Sequence, residues 1–184
     1  MQHIGSTRCC LQISLRMLIL LTDSPSGLFL TWTVYGTFLP GDSRGWRHRA
    51  SGMRSAQPQL DLWHRKRLQH AVILLTDPMR RTVESAIDEI CDVRRWSLWA
   101  SAARSNHIHV VLTAPECDPE TVRDQLKAKS TRELRGGFSV WKDRPVWSAN
   151  GDIEFLDSEE EIEKCVLYVR EAQDRKSRDH LREP

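Results

Sequence analysis

Two histidines separated by one residue are the clearest candidates for chemistry in this chain. The segment Ser-Asn-His-Ile-His-Val-Val-Leu, residues 105–112, has the apolar pattern of a β-strand, in which every second side chain points to the same face. His107 and His109 therefore share a face, about 7 Å apart, from which two imidazoles can bind one divalent metal ion. The spacing is weak evidence by itself, because with seven histidines such a pair arises by chance in roughly a quarter of chains. Exposed strand histidines without a role are the alternative.

The chain has only two tyrosines that could act as nucleophiles. Tyr35 precedes a glycine at the end of a predicted strand, whereas Tyr168 falls on the last predicted helix, about 120° from the centre of its apolar stripe. A phenol at the border of the buried face can attack a phosphate whose charge a nearby metal ion offsets. A boundary tyrosine that packs its ring and leaves its hydroxyl in water is the alternative.

Basic residues concentrate in one segment, although the formal net charge of the chain is only +2. Residues 44–70 contain a single acid, Asp61, and seven basic residues: Arg44, Arg47, Arg49, Arg54, Arg65, Lys66 and Arg67. Tryptophans and histidines interleave with these residues, which suits phosphate contact combined with stacking on unpaired bases. The pattern predicts a long DNA-binding loop, with a solvated surface loop as the alternative. A second candidate surface is the outward face of a helix that carries Arg123, Lys127 and Lys129.

The remaining elements follow from periodicity and from capping residues. In chain order we predict a strand over Leu28–Val34, a helix with its N-cap at Asp77, strands over Trp96–Ala102 and His107–Thr113, a helix from Pro119 to about Leu134, a hairpin around Asn150–Gly151, and a final helix with a capping box of Ser158 and Glu161. Four tryptophans are expected in the core: Trp96, Trp99, Trp141 and Trp147. This order is typical of an α+β fold, the ferredoxin-like (split βαβ) antiparallel sheet.

Length and composition place the chain in one globular domain. Its 184 residues are 40% hydrophobic, which excludes disordered and fibrous classes. Five cysteines without a Cys-x-x-Cys pair favour a reducing compartment over a disulfide scaffold or zinc knuckle. We expect a non-essential N-terminal arm over residues 1–26, the functional domain over 27–176 and a tail over 177–184, with no export signal and a cytoplasmic location.

Three segments resemble HUH single-tyrosine transposases, in particular the IS200-like branch associated with repetitive extragenic palindromes (REP). Residues 105–110 resemble the His-hydrophobic-His motif, and Tyr-Val-Arg-Glu-Ala-Gln at 168–173 is similar to the helix of the catalytic tyrosine. Residues 33–42, Thr-Val-Tyr-Gly-Thr-Phe-Leu-Pro-Gly-Asp, are similar to the first-strand segment of the REP-associated branch. The resemblance spans residues 28–173 in the expected order, and it implies an HUH-endonuclease type of ferredoxin-like fold.

The resemblance also implies a function, namely cleavage and rejoining of single-stranded DNA near hairpins. His107 and His109 would hold Mg²⁺ or Mn²⁺ against the scissile phosphate, and Tyr168 would attack phosphorus to give a 5′-phosphotyrosine and a free 3′-hydroxyl. A second DNA 3′-hydroxyl could then reverse the attack without ATP. The implied partner is single-stranded DNA with palindromic hairpin repeats, which places the protein at the nucleoid.

The third metal ligand departs from the family pattern. Related enzymes place a polar ligand four residues after the tyrosine, but that position is Ala172. On a helical wheel Gln173 lies within about 20° of the apolar stripe and Glu171 faces away, so Gln173 is the preferred third ligand. Two further questions stay open: whether the protein is a monomer or a homodimer, and whether it is instead a domesticated hairpin-DNA-binding protein that no longer cleaves.

Overall fold

A computed structural model describes residues 27–48 and 52–172 of the chain. The predicted arm, the tail and Gln173 lie outside these described residues. In chain order the elements are β1 (Gly27–Thr33), β2 (Trp46–His48), β3 (Gly52–Arg54), α1 (Pro58–Arg65), α2 (Asp77–Arg94), β4 (Ser97–Ala103), β5 (His107–Thr113), α3 (Pro119–Gly137), a 3₁₀ turn (Ser139–Trp141), β6 (Asp152–Leu156), α4 (Glu159–Leu167) and a π-helical turn (Tyr168–Ala172).

Four of the strands form the central sheet, in the order β4-β5-β1-β6. Every neighbouring pair in this sheet is antiparallel. The strands that α2 connects, β1 and β4, are therefore parallel to each other and separated by β5, which is the split βαβ arrangement. The segment β5-α3-β6 repeats the same arrangement around β1. The predicted ferredoxin-like α+β fold is confirmed.

The main core lies between one face of the sheet and the helices α2 and α3. Alternate residues of the central strands supply its sheet side, and Ile108, Val110 and Leu112 of β5 are fully buried there. The helices contribute residues at the spacing of one helical face, which lie in the same cluster: Val83, Ile87, Val122, Leu126 and Leu134. This packing fixes β1 and β5 as a rigid support for whatever their opposite face carries.

The opposite face of the sheet is covered by α4 and the π-helical turn. Ile162 and Val169 pack there against Val111 and Leu156 in a smaller apolar cluster. The predicted cap of α4 is present, because the Ser158 hydroxyl accepts a hydrogen bond from the backbone N–H of Glu161. The Glu161 carboxylate accepts from the backbone N–H of Asp157, one residue earlier than a standard capping box requires.

The predicted hairpin around Asn150–Gly151 is wrong. Val146–Trp147 and β6 do not pair with each other, because both pair with β1 or its continuation. Trp147 forms an isolated bridge with Val34, while β6 pairs further back along β1. Asn150 and Gly151 have positive φ angles of 62° and 154° and form the bend between the two pairing segments.

The basic segment is folded rather than a long loop, contrary to the prediction. It contains the β2–β3 hairpin and α1, and it closes on the turn at Gly41. The φ of Gly41 is +94°, and a Cβ there would lie 2.5 Å from both the Gln57 carbonyl oxygen and the Asp61 nitrogen. Glycine is therefore required for α1 to pack on this turn.

Smaller boundary errors concern the ends of helices and one tryptophan. Thr76, not Asp77, is the N-cap of α2, and α3 continues to Gly137. Trp96, Trp141 and Trp147 are buried as expected, but Trp99 is 46% exposed. Trp99 is the extra residue at the shift in pairing between β4 and β5, where it has no partner in the register, and its indole N–H donates to the Thr113 hydroxyl. Across the described residues, no helix has the length and apolar character needed to cross a membrane.

Candidate active site

The two histidines lie at the start of β5, on the sheet face opposite the main core. In the register of the sheet, Thr33 of β1 is opposite His107 and Thr31 is opposite His109. The two imidazole rings have centroids 4.7 Å apart and are nearly perpendicular, at 77°. The structure therefore brings both rings together on one rigid surface, as the period of two in the sequence predicted.

His109 is the more enclosed member of the pair. Its residue is only 7% exposed, its ring stacks on Phe29 at 5.3 Å, and its Nδ1 lies 2.7 Å from the Thr31 hydroxyl oxygen. Burial, and after it the positive charges of His107 and Arg104, lower the pKa of His109 to about 3. The ring is therefore neutral near pH 7, which is the form that can bind a metal ion.

His107 is oriented by the residue before it. Its Nδ1 lies 2.5 Å from the side-chain oxygen of Asn106. Since a carboxamide oxygen can only accept, Nδ1 carries the proton and the ring's lone pair is on Nε2. Asn106 is itself buried, and its backbone carbonyl accepts from the Thr37 hydroxyl at 3.0 Å and from the Val34 N–H at 2.9 Å. The orientation of His107 is thus tied to the end of β1.

The pair fits part of a coordination sphere. Among the described residues, no cluster of three or more His, Cys, Asp or Glu could hold a metal ion. Two imidazoles on one strand can supply two ligands, and imidazole nitrogen suits Mn²⁺ better than the harder Mg²⁺. Oxygens of a phosphate or of water would have to complete the set.

The wheel argument for Gln173 as the third ligand assumed an α-helix that the structure does not have. Regular α geometry ends at Leu167, and the π-helical turn begins at Tyr168. The advance of about 100° per residue therefore does not apply beyond that point. The alternative ligand, Glu171, is exposed in the π-helical turn, and Gln173 lies outside the described residues. Neither assignment is tested.

Tyr168 opens the π-helical turn next to the histidines. Its ring centroid lies 5.8 Å from that of His109 and 6.2 Å from that of Phe29. The side chain remains 39% exposed, while the next residue, Val169, is fully buried and anchors the turn. The structure thus holds a phenol beside the imidazole pair and leaves it accessible to a substrate. Single π-helical turns are frequent at functional sites.

The histidines also line a cleft of about 780 Å³ at the end of the sheet. Three arginines from separate elements line the same cleft: Arg44, Arg47 and Arg123. Tyr168 is not part of this lining, although its ring contacts that of His109. The cleft therefore combines imidazole nitrogens, which suit the binding of one phosphate group through a metal ion, with guanidinium groups, which suit the neighbouring phosphates.

Each of the three cleft arginines has a carboxylate partner among the described residues, Asp124 in the case of Arg123. Arg44 forms a two-pronged ion pair with the buried Asp42, with its Nε at 2.8 Å and its Nη2 at 2.9 Å. Burial alone would raise the pKa of Asp42, but the hydrogen bonds and charge of Arg44 lower it. Arg47 pairs with the exposed Asp152 at 2.6 Å. The Asp42–Arg44 pair gives the loop a fixed shape next to the histidines.

Three further basic residues of the segment, Arg65, Lys66 and Arg67, do not line the cleft, and Arg49 lies outside the described residues. Arg65, Lys66 and Arg67 are exposed around the end of α1. Arg65 pairs with Asp61 at 2.7 Å, and the guanidinium of Arg67 lies 3.6 Å above the ring of Trp63. A role of these three residues in binding DNA remains a prediction.

The predicted outward basic face of α3 is wrong. Arg123 is only 7% exposed, and Lys127 is half-buried and donates to the carbonyls of Ser148 and Asn150 at 2.9 and 2.6 Å. Lys129 turns toward α2, where it pairs with Glu89 at 2.8 Å, and it also pairs with Glu133. The first half of α3 packs against the segment before β6, which a periodicity argument on α3 alone does not detect.

Comparison with known proteins identifies the family. Residues 66–171, more than half of the chain, match the profile of the family described as transposase IS200 like. The chain belongs to the IS200-like transposase family, and this confirms the resemblance seen in its sequence motifs. It is a transposase by family. Among curated proteins, none matches the chain in sequence.

Two solved structures are similar to this chain. One is a protein described as a candidate transposase from Deinococcus radiodurans R1, with 14% identity, a TM-score of 0.46, and coverage of 79% of this chain and 88% of that one. The other is a REP-associated tyrosine transposase bound to a REP hairpin, with 13% identity, a TM-score of 0.44, and coverage of 92% and 70% respectively.

Proposed function

We propose that the protein cleaves and rejoins single-stranded DNA near hairpins, with Tyr168 as the nucleophile and with His107 and His109 as ligands of a divalent metal ion. The observation that carries the proposal is the position of the Tyr168 ring, 5.8 Å from the ring of His109. The other tyrosine is placed differently, since the hydroxyl of Tyr35 accepts a hydrogen bond from the backbone of Gln69 and its ring contacts His70.

The cleavage step forms one bond to phosphorus and breaks another. The phenol oxygen of Tyr168 attacks phosphorus, the bond from phosphorus to the 3′-oxygen breaks, and the DNA is left as a 5′-phosphotyrosine. The phenol gives up its proton and the departing 3′-oxygen takes one up, so that a free 3′-hydroxyl results. Because the phosphotyrosine keeps the energy of the broken bond, a second DNA 3′-hydroxyl can attack it and rejoin the strands.

Two neighbouring side chains orient the imidazoles that would hold the metal ion. Thr31 and Asn106 hold the rings of His109 and His107 at their Nδ1 atoms. Each ring would then bind a metal ion through Nε2, with Nδ1–H of His109 donating to the Thr31 hydroxyl in that state. A divalent ion bound there, Mg²⁺ or Mn²⁺, would polarise the scissile phosphate and orient it. Neutral His109 suits this role, since a protonated ring could not ligate.

The DNA partner follows from charge and from the family. Arg44, Arg47 and Arg123 border the histidine cleft and supply cationic groups for the sugar-phosphate backbone. The motifs at residues 33–42 and 105–110 are similar to those of REP-associated enzymes, which supports hairpins with single-stranded flanks as substrates. The homodimer and the monomer remain alternative states in which this site could work.

Cleavage of labelled DNA hairpins, drawn from the repeats flanking the gene, tests the proposal on a denaturing gel with Mn²⁺. Wild type should give a covalent protein–DNA adduct and a 3′-hydroxyl fragment, and Tyr168→Phe and His107→Ala should give neither. Tyr35→Phe is the matched control and should still form the adduct. If all these proteins bind the hairpins equally and none cuts, the enzymatic proposal fails and the domesticated DNA-binding protein is the better description.

A further inference from the structure

Arg123 has an unusual environment for a charged residue. Its side chain is only 8% exposed, yet its described ion-pair partner, Asp124, is 63% exposed and binds through Nε alone, at 2.8 Å. Among the described residues, Asp124 is also the only hydrogen-bond partner of Arg123. This hydrogen bond does not involve the two terminal amino groups of the guanidinium, and the side chain lines the histidine cleft. Burying a charge is costly unless further polar partners compensate.

Both cationic and anionic groups surround Arg123. Lys127 lies one turn further along α3, and burial and then the charge of Arg123 lower the pKa of Lys127. Arg44 and Arg47 face the same cleft, as do two carboxylates, Glu120 and Asp152. Asp152 is engaged by Arg47 and Glu120 is exposed. Neither of these two carboxylates therefore accounts for the hydrogen bonds that the terminal amino groups of Arg123 can donate.

The side chain of Arg123 packs closely over Gly151, where a larger residue would leave no room for it. A Cβ at Gly151 would lie 3.1 Å from the Arg123 Cδ and 2.8 Å from the Thr31 carbonyl oxygen. Lys127 holds the same segment through the carbonyls of Ser148 and Asn150. The guanidinium is therefore preorganised at the cleft, and its planar fork of donors matches the oxygens of a phosphate group.

We propose that Arg123 is a phosphate-binding residue of the cleft, which holds a phosphodiester group of the DNA strand next to the one that is cleaved. This inference rests on the proposed function for its ligand, single-stranded DNA, but not on the cleavage step. Arg123 then acts in substrate placement, since it holds the strand in the cleft that the histidines line. The cleft of about 780 Å³ has room for a nucleotide there.

Binding measurements in a protein that cannot cleave separate this inference from the proposed chemistry. The probe is a labelled hairpin with a single-stranded flank from the repeats beside the gene, titrated with Tyr168→Phe protein at several salt concentrations. Adding Arg123→Met should weaken binding at least about tenfold at low salt. It should also reduce the slope of log K against log salt by about 0.7, the value for one phosphate contact on a single strand.

A matched variant and a chemical probe complete the test. Arg132→Met removes an exposed arginine from the same helix and should change neither quantity. Methylphosphonate substitution, which neutralises one phosphate at a time, should weaken binding at one flank position in the Tyr168→Phe protein and have no further effect there once Arg123→Met is present. The assignment is overturned if the methylphosphonate weakens binding by the same factor with and without Arg123→Met. It is also overturned if folded Arg123→Met leaves the salt slope unchanged. If Arg123→Met does not fold, the neutral polar variant Arg123→Gln replaces it, and a methylphosphonate effect that is unchanged in that variant overturns the assignment equally.

Discussion

The hydrogen bond between Thr31 and His109 should affect both the stability and the metal affinity of the protein. The Thr31 hydroxyl lies 2.7 Å from Nδ1 of a histidine that is only 7% exposed. Thr31→Val keeps the shape of the side chain but leaves a buried ring nitrogen without this partner. Such a loss costs roughly 1 to 3 kcal/mol of unfolding free energy. Because a partner of this kind also orients a ligating imidazole, metal affinity should fall by about 10- to 100-fold.

The neighbouring threonine provides the control for this prediction. Thr33 lies on the same face of β1, opposite His107 in the register. Thr33→Val should change the unfolding free energy by less than about 0.5 kcal/mol. Urea unfolding of the metal-free proteins gives the stability, and calorimetric titration with Mn²⁺ gives the affinity. If Thr31→Val and Thr33→Val behave alike in both assays, the hydrogen bond does not position His109 and the reasoning is refuted.

Two further predictions concern pH and the turn at Gly41. The folded pKa of His109 is about 3 against 6.5 when unfolded, so the unfolded chain binds the proton more strongly. Metal-free protein should therefore lose about 3 kcal/mol of stability between pH 7 and pH 4, and His109→Phe should lose that much less across the range in urea titrations. Gly41→Ala should destabilise by at least about 1 kcal/mol in thermal unfolding, because its Cβ would collide with α1 at positive φ. Gly136→Ala, with open space at its Cβ, should not; equal effects would contradict the Gly41 argument.

The sequence was informative wherever one side chain pattern determines the local structure. The period of two in β5 placed His107 and His109 on one face, and the capping residue Ser158 marked the start of α4. The order of such elements was enough to predict the ferredoxin-like sheet, since few topologies connect them with short, right-handed crossovers.

The errors share a physical cause, which is that each depends on contacts between distant segments. Asn150–Gly151 is a common hairpin signal. The segments before and after it do not pair with each other, however, because both pair with β1 or its continuation. The pattern of α3 predicted an outward position for Arg123, but the segment before β6 covers this residue in the folded chain. The support of His109 by Thr31 depends on the register between β1 and β5, which no local pattern specifies.

Part of the candidate site could be found from the sequence and part could not. The histidine pair and Tyr168 were recognisable from spacing and from motif order. Thr31, Asn106 and Thr37, which hold the histidines in place, were not. Asn106 carried a weak signal, because a carboxamide directly before a candidate ligand can reach its ring. The π-helical turn at Tyr168 has no signal in residue type, and it is the feature that invalidates a wheel-based choice of third ligand.

The most direct test of the account is to identify the residue that becomes attached to DNA. The chain contains only two tyrosines, so proteolysis of the adduct formed with a hairpin substrate and Mn²⁺, followed by mass spectrometry of the DNA-linked peptide, gives a clear answer. The account predicts a single modified peptide that contains Tyr168 joined to a 5′-phosphate. A DNA-linked peptide containing Tyr35, or strand cleavage without any covalent adduct, would contradict it.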